Sequence, residues 1–116
     1  IKLKYKEIPV LKWKLLIEQN YKCAICKEDL KEFLVKDVVL DHNHNTGRIR
    51  GVLCRRCNAC EGRLFNFYIR STKKERRNKK DYLNLLKGLA NYFQESERNP
   101  KNIIHPKWKK KDASLF

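Results

Sequence analysis

The sequence predicts an α+β fold, mostly helical, organised around a small ββα core that four cysteines staple together. Three observations predict it. Two Cys-x-x-Cys pairs, Cys23 with Cys26 and Cys54 with Cys57, have the spacing of ligands to one tetrahedral ion, which points to zinc. Between the pairs, two β-prone stretches flank the turn-forming Asn45-Thr46-Gly47. Three further segments carry apolar residues at helical spacing. The chain has 116 residues, of which 35% are charged, and its mean hydropathy is -0.74. That is material for a single small domain, 1–116, with little spare core, and a structural metal supplies part of the deficit.

The elements follow in order. Pro9 to Asn20 reads as a helix, with Leu11, Leu15, Leu16, Val10 and Trp13 on its apolar face and Lys12, Lys14 and Glu18 elsewhere. Pro9 suits the first turn, where its missing N–H costs nothing. Tyr21 to Leu30 is a zinc knuckle, since Cys23 and Cys26 reach one ion when the intervening pair turns the backbone. A redox dithiol would need a surrounding βαβ pattern, which is absent from the sequence. Phe33 to Leu40 reads as a strand leading into Asp41. Arg48 to Leu53 is the return strand, with Arg48 and Arg50 on one face. Gly51 inside it marks a bulge or a close backbone approach. Cys54 to about Arg70 turns into a helix carrying Asn58, Glu61, Leu64, Phe65 and Tyr68, so the zinc-bound ββα core covers about 21–70. Ser71 to Lys80 is a basic run with no apolar period, a linker or helix start. A C-terminal helix over about 78–97 places Tyr82, Leu85, Leu86, Leu89 and Phe93 on one stripe. A basic tail, 98–116, sets Trp108 among lysines.

Lysine and arginine number 28 against 13 acidic residues, a net charge of +15. Such an excess predicts a polyanionic partner, and nucleic acid fits best. No stretch approaches the roughly 20 apolar residues of a membrane span. The N-terminal residues lack the continuous apolar stretch of a secretory signal, so the expected location is cytoplasmic. In that reducing compartment, paired cysteines are metal ligands rather than disulfides.

Four sulfurs close a tetrahedral shell, so this zinc is expected to be structural. Cys60, the leftover thiol, is expected to be a small buried apolar residue. A second metal is expected at Asp41 and Asn58, whose carboxylate and amide oxygens are hard donors suited to Mg²⁺ or Mn²⁺. His42 is placed as the base that takes a proton from an attacking water. His44 shares its strand face if the strand persists, and Glu61 stands one helical turn from Asn58. Adjacent residues of a regular strand face opposite ways, so Asp41 and His42 converge only where the strand ends or bends.

The stretch DHNHNTGRIRGVLCRRCN resembles the His-Asn-His (HNH) superfamily with its ββα-metal fold. More closely, it resembles the recombination endonuclease VII family of phage junction resolvases. YKCAIC, LCRRCNACEG, the helix DYLNLLKGLANY and NIIHP extend the resemblance over nearly the whole chain. It implies a metal-dependent DNA endonuclease that hydrolyses phosphodiester bonds and resolves branched DNA or Holliday junctions. It further implies Cys23, Cys26, Cys54 and Cys57 as zinc ligands, Asp41 and Asn58 as catalytic-metal ligands and His42 as the base, with His44 and Glu61 as further active-site positions. An intertwined helical homodimer is also implied, in the cytoplasm of a host cell. Cys60 departs from the family pattern, standing where a small residue such as alanine is expected. Two alternatives stand beside this reading: an HNH homing, nicking or degradative endonuclease, and a non-catalytic zinc module that only binds DNA. The set Asp41, His42 and Asn58 argues against the last, because binding alone does not need it.

Overall fold

A computed structural model describes residues 2–110; residues 1 and 111–116, the latter the end of the basic tail, lie outside the described residues. The chain divides into two compact units, Ile1–Ser71 and Thr72–Phe116. In the first unit, α1 (Ile8–Glu18) precedes the antiparallel hairpin of β1 (Val38–His42) and β2 (Ile49–Cys54), and α2 (Arg55–Ser71) follows directly. The second unit carries α3 (Lys79–Arg98). The fold is thus mixed, mostly helical, with one small two-stranded sheet.

The core of the first unit is Leu16, Leu30, Val38, Val52 and Leu53 together with Cys23, Cys54 and Cys57. Leu16 alone of α1 is buried, Leu11 and Leu15 are half-buried, and Val10 and Trp13 face outward. With so few large apolar side chains inside, the cysteines are part of the core itself. After α1 the chain reverses through Asn20 and Tyr21, both left-handed (φ 56° and 60°), and the Tyr21 N–H donates to the Leu16 carbonyl at 2.8 Å.

Gln19, at the end of α1, stands in for a third strand. Its Oε1 accepts from the Val52 N–H at 2.9 Å and its Nε2 donates to the Val52 carbonyl at 2.9 Å. The amide therefore presents a donor and an acceptor to the bare edge of β2, as a neighbouring peptide would. The same Nε2 donates to the Lys22 carbonyl, and the Ala24 N–H donates to that of Val52. The knuckle is thereby tied to β2. A Cβ at Gly51 would lie 3.1 Å from Gln19 Oε1, so this close approach explains the glycine.

The stretch before β1 differs from expectation. Val35–Asp37 is a 3-10 turn and the strand begins only at Val38. The register shows why: Val38 pairs with Cys54, and the partner strand turns into α2 at the next residue. Residues 33–37 have nothing to pair with, and Leu34 and Val35 are exposed. Lys12 Nζ fastens this turn to α1 by donating to the carbonyls of Val35 (3.1 Å) and Val38 (2.9 Å).

In the second unit the basic run forms a 3-10 turn, Lys74–Arg76, ahead of α3. Asn78 caps α3: its side-chain oxygen accepts from the Asp81 N–H at 2.9 Å. On the apolar stripe, Tyr82 and Leu86 are half-buried, while Leu85, Leu89 and Phe93 are exposed.

Candidate metal centre and acidic site

Cys23 and Cys26 sit on the knuckle, Cys54 ends β2 and Cys57 lies in the first turn of α2. Their sulfurs lie within 4.8 Å of one another. A zinc–sulfur bond of about 2.3 Å puts tetrahedral sulfurs about 3.8 Å apart, and Cys26 Sγ and Cys54 Sγ are separated by 3.9 Å. The cluster could therefore hold a structural zinc ion. Cys23, Cys54 and Cys57 are buried, and none of the four is in a disulfide.

The electrostatics of the cluster favour a cation. Burial alone would raise the Cys23 thiol, but the backbone N–H groups of Cys54, Cys26 and Ile25 outweigh it and lower the thiol to about 6. Cys57 goes the other way. Burial and the neighbouring sulfurs of Cys54, Cys26 and Cys23 push it up to about 12. Four crowded thiolates cannot coexist without positive charge among them. At the rim, the Arg56 guanidinium is held above its usual range, first by its hydrogen bond to Cys26 and then by the Cys26 and Cys54 charges. Cys60 corrects an expectation. It is exposed, because its place on α2 turns it away from the packed side that carries Cys57.

The second cluster is built on the hairpin. Asp41 is the one buried charged residue among the described residues, 7% exposed. It pairs with Gly51, whereas His42 pairs with Ile49, so Arg50 is an extra residue in β2. This bulge breaks the strand alternation between Asp41 and His42, at the point where a bend was needed. It also aims Arg50 at Asp41. Arg50 Nε donates to Asp41 Oδ2 at 2.8 Å and Nη2 donates to Oδ1 at 3.2 Å. The same Nη2 is 3.1 Å from Glu61 Oε1 on α2. The Asp41 hydrogen bond, against some burial cost, raises the Arg50 pKa further above its ordinary value.

His42 is the last residue of β1 and is exposed. The strand stops there, yet the His44 ring still packs against that of His42, centroid to centroid 4.8 Å. Asn43 shapes the intervening turn by accepting from the N–H groups of Asn45 and Thr46, and Gly47 supplies its left-handed position (φ 76°). Asn58 lies half-buried on α2, one turn before Glu61.

The structure thus unites the four cysteines, joins Asp41 to Glu61 through Arg50 and sets the His42 and His44 rings in tilted contact. Sequence reasoning noted the face shared by Arg48 and Arg50 but missed that Arg50 binds both carboxylates. The signal was the glycine at 51, which marked the bulge without revealing which neighbour it would redirect. No helix is long and apolar enough to cross a membrane among the described residues. A family model described as recombination endonuclease VII matches residues 1–95.

Proposed function

The chain belongs to the recombination endonuclease VII family, and from that premise we propose that it is an HNH-type, divalent-metal-dependent endonuclease that resolves branched DNA. The family match carries the nuclease reading. The buried Asp41 carboxylate at the end of a bulged strand supports the metal-dependent form. Asp41 and Asn58 offer hard oxygen donors, with Glu61 close by, and this donor set fits Mg²⁺ or Mn²⁺. Bound there, the ion would polarise the scissile phosphate and offset charge on the leaving oxygen.

The remaining work falls to the chain's own residues. A ring nitrogen of exposed His42 accepts the proton of the attacking water, which a neutral imidazole can do near neutral pH. His44, in tilted contact with that ring, restricts its orientation and offers a donor to phosphate. The exposed Arg48, Arg55, Arg56 and Arg63 bind the DNA backbone, in keeping with the +15 charge. The zinc cluster fixes β2 and the start of α2, and hence the spacing of Asp41 from Asn58 and Glu61.

All of 1–116 acts as one endonuclease domain and works as a homodimer of the phage resolvase type, in the cytoplasm of a host cell. One chain has one such site and nicks one strand, while a junction needs two matched cuts. The exposed stripe of Leu85, Leu89 and Phe93 supports a dimer. The test is side-by-side cleavage of four-way, Y-shaped, nicked and linear DNA with Mg²⁺ or Mn²⁺. Paired nicks on the junction, abolished by EDTA, are expected. Linear duplex cut as fast as the junction would replace the resolvase by a general nicking nuclease. Binding without any cleavage would leave only a zinc module.

A further inference from the structure

We propose that Arg50 is the resident counter-ion of Asp41 and Glu61 and gates their cation, releasing Asp41 to a divalent ion only when a DNA phosphate draws the guanidinium away. The inference rests on the nuclease reading above and adds a coupling between substrate and metal occupancy.

Three observations carry it. First, the Arg50 fork engages both oxygens of Asp41 and reaches Glu61 through the same Nη2. A divalent ion on Asp41 must therefore compete with a fixed positive charge a few ångströms away. Second, exposure is unequal: the Asp41 side chain is 8% exposed, that of Glu61 23% and that of Arg50 38%. An approaching phosphate meets the guanidinium before it meets either carboxylate. Third, Arg50 is the unpaired residue of the bulge, so its side chain can turn outward without disturbing the pairing of Asp41 with Gly51.

The chemistry of the two partners completes the argument. A guanidinium presents the same planar fork to phosphate as to carboxylate, so Arg50 can exchange one for the other with little loss of hydrogen bonding. The phosphate then carries Arg50's charge away from Asp41 while bringing negative charge to the site. Both effects favour a divalent ion. By linkage, an ion bound at Asp41 strengthens DNA binding by the same factor. Arg50 is accordingly a positioning residue in the metal-free protein and a phosphate contact in the complex.

The test measures Mn²⁺ affinity of the zinc-loaded full chain by electron paramagnetic resonance of the free ion. The parent should bind Mn²⁺ weakly alone and on the order of tenfold more tightly with a four-way junction, within the usual range of coupling between sites. The junction measurements use a His42→Ala background so that the DNA stays intact. Arg50→Gln should bind Mn²⁺ on the order of tenfold more tightly than the parent without DNA, and should respond less to the junction than the parent does, because only the phosphate's own charge then acts. If Arg50→Gln fails to fold, judged by circular dichroism and zinc content, Arg50→Lys takes its place. That variant keeps the charge but gives up the fork, so its DNA-free affinity should still rise, by a smaller factor. Unchanged or weaker DNA-free affinity in the folded variant overturns the gate. A parent that neither cleaves DNA nor binds Mn²⁺ in an Asp41-dependent way overturns the nuclease reading, and the gate with it.

Discussion

Replacing Gln19 by alanine should loosen the hairpin from its exposed edge. Val52 is 0% exposed, and its N–H has the Gln19 side-chain oxygen as its acceptor at 2.9 Å. Its carbonyl is better protected, because the Ala24 N–H still donates to it at 3.1 Å after the amide is gone. The main cost is thus one orphaned buried donor, about 1–3 kcal/mol. The lost bond to the Lys22 carbonyl is exposed and adds only about 0.5 kcal/mol. A total of about 2 kcal/mol lowers the melting temperature of a unit of this size by roughly 10 °C. Gln19→Glu separates the two halves of the amide: it keeps an acceptor for the Val52 N–H but sets a carboxylate oxygen against two carbonyls. Melting by circular dichroism at fixed zinc reads both variants. A shift in Gln19→Ala of under about 2 °C would show that water satisfies the β2 edge unaided and would refute the surrogate-strand argument.

Other outcomes follow from the two clusters. Each chain should carry one zinc, and Cys54→Ser should largely unfold the first unit, since zinc binding is part of its folding free energy; elemental analysis of a folded, zinc-free sample would contradict this. His42→Ala should lower the cleavage rate on the order of 10²–10⁴-fold while DNA affinity, measured by gel shift, stays near that of the parent; a mutant cutting at the parent rate removes His42 from the mechanism. Zinc retention should depend on pH with a definite sign. The Cys23 thiol is lowered from 9.0 to about 6, so its contribution is full above about 9 and is lost progressively as pH falls from there through about 6. Zinc release to a chromophoric chelator should therefore increase steadily as pH falls toward about 6, and release independent of pH over that range would contradict the arrangement.

Much of this was legible in the sequence where one residue type permits one use. The spacing of the paired cysteines pointed to one shared ion, and the structure brings their sulfurs together. The helices were readable from Pro9 and the apolar period, whereas the Asn78 cap was not. What escaped were features that depend on register. Val35 looks like a strand residue, but whether it pairs is decided by where Cys54 ends β2. Arg50 looks like a phosphate ligand on a strand face until the bulge turns it toward Asp41. Gln19 carries no signal at all, because a glutamine after a helix has many equivalent uses. Cys60 was misjudged because thiols are usually buried, whereas its helical position decides its exposure.

The order of the two clusters along the chain also sets an order in time. Ribosomes release Cys23 and Cys26 first, then Asp41 and His42, and only later Cys54 and Cys57, with Asn58 and Glu61 next to emerge. The hairpin that carries Asp41 has no partner strand until β2 is out, and the site that could hold zinc is one ligand short until Cys57 is out. A nascent or truncated chain ending before α2 therefore holds three of the four cysteines and lacks Asn58 and Glu61, so it can complete neither cluster. Both clusters are thus completed by the same element, so the acidic cluster and the site that could hold zinc come together at the same step of synthesis.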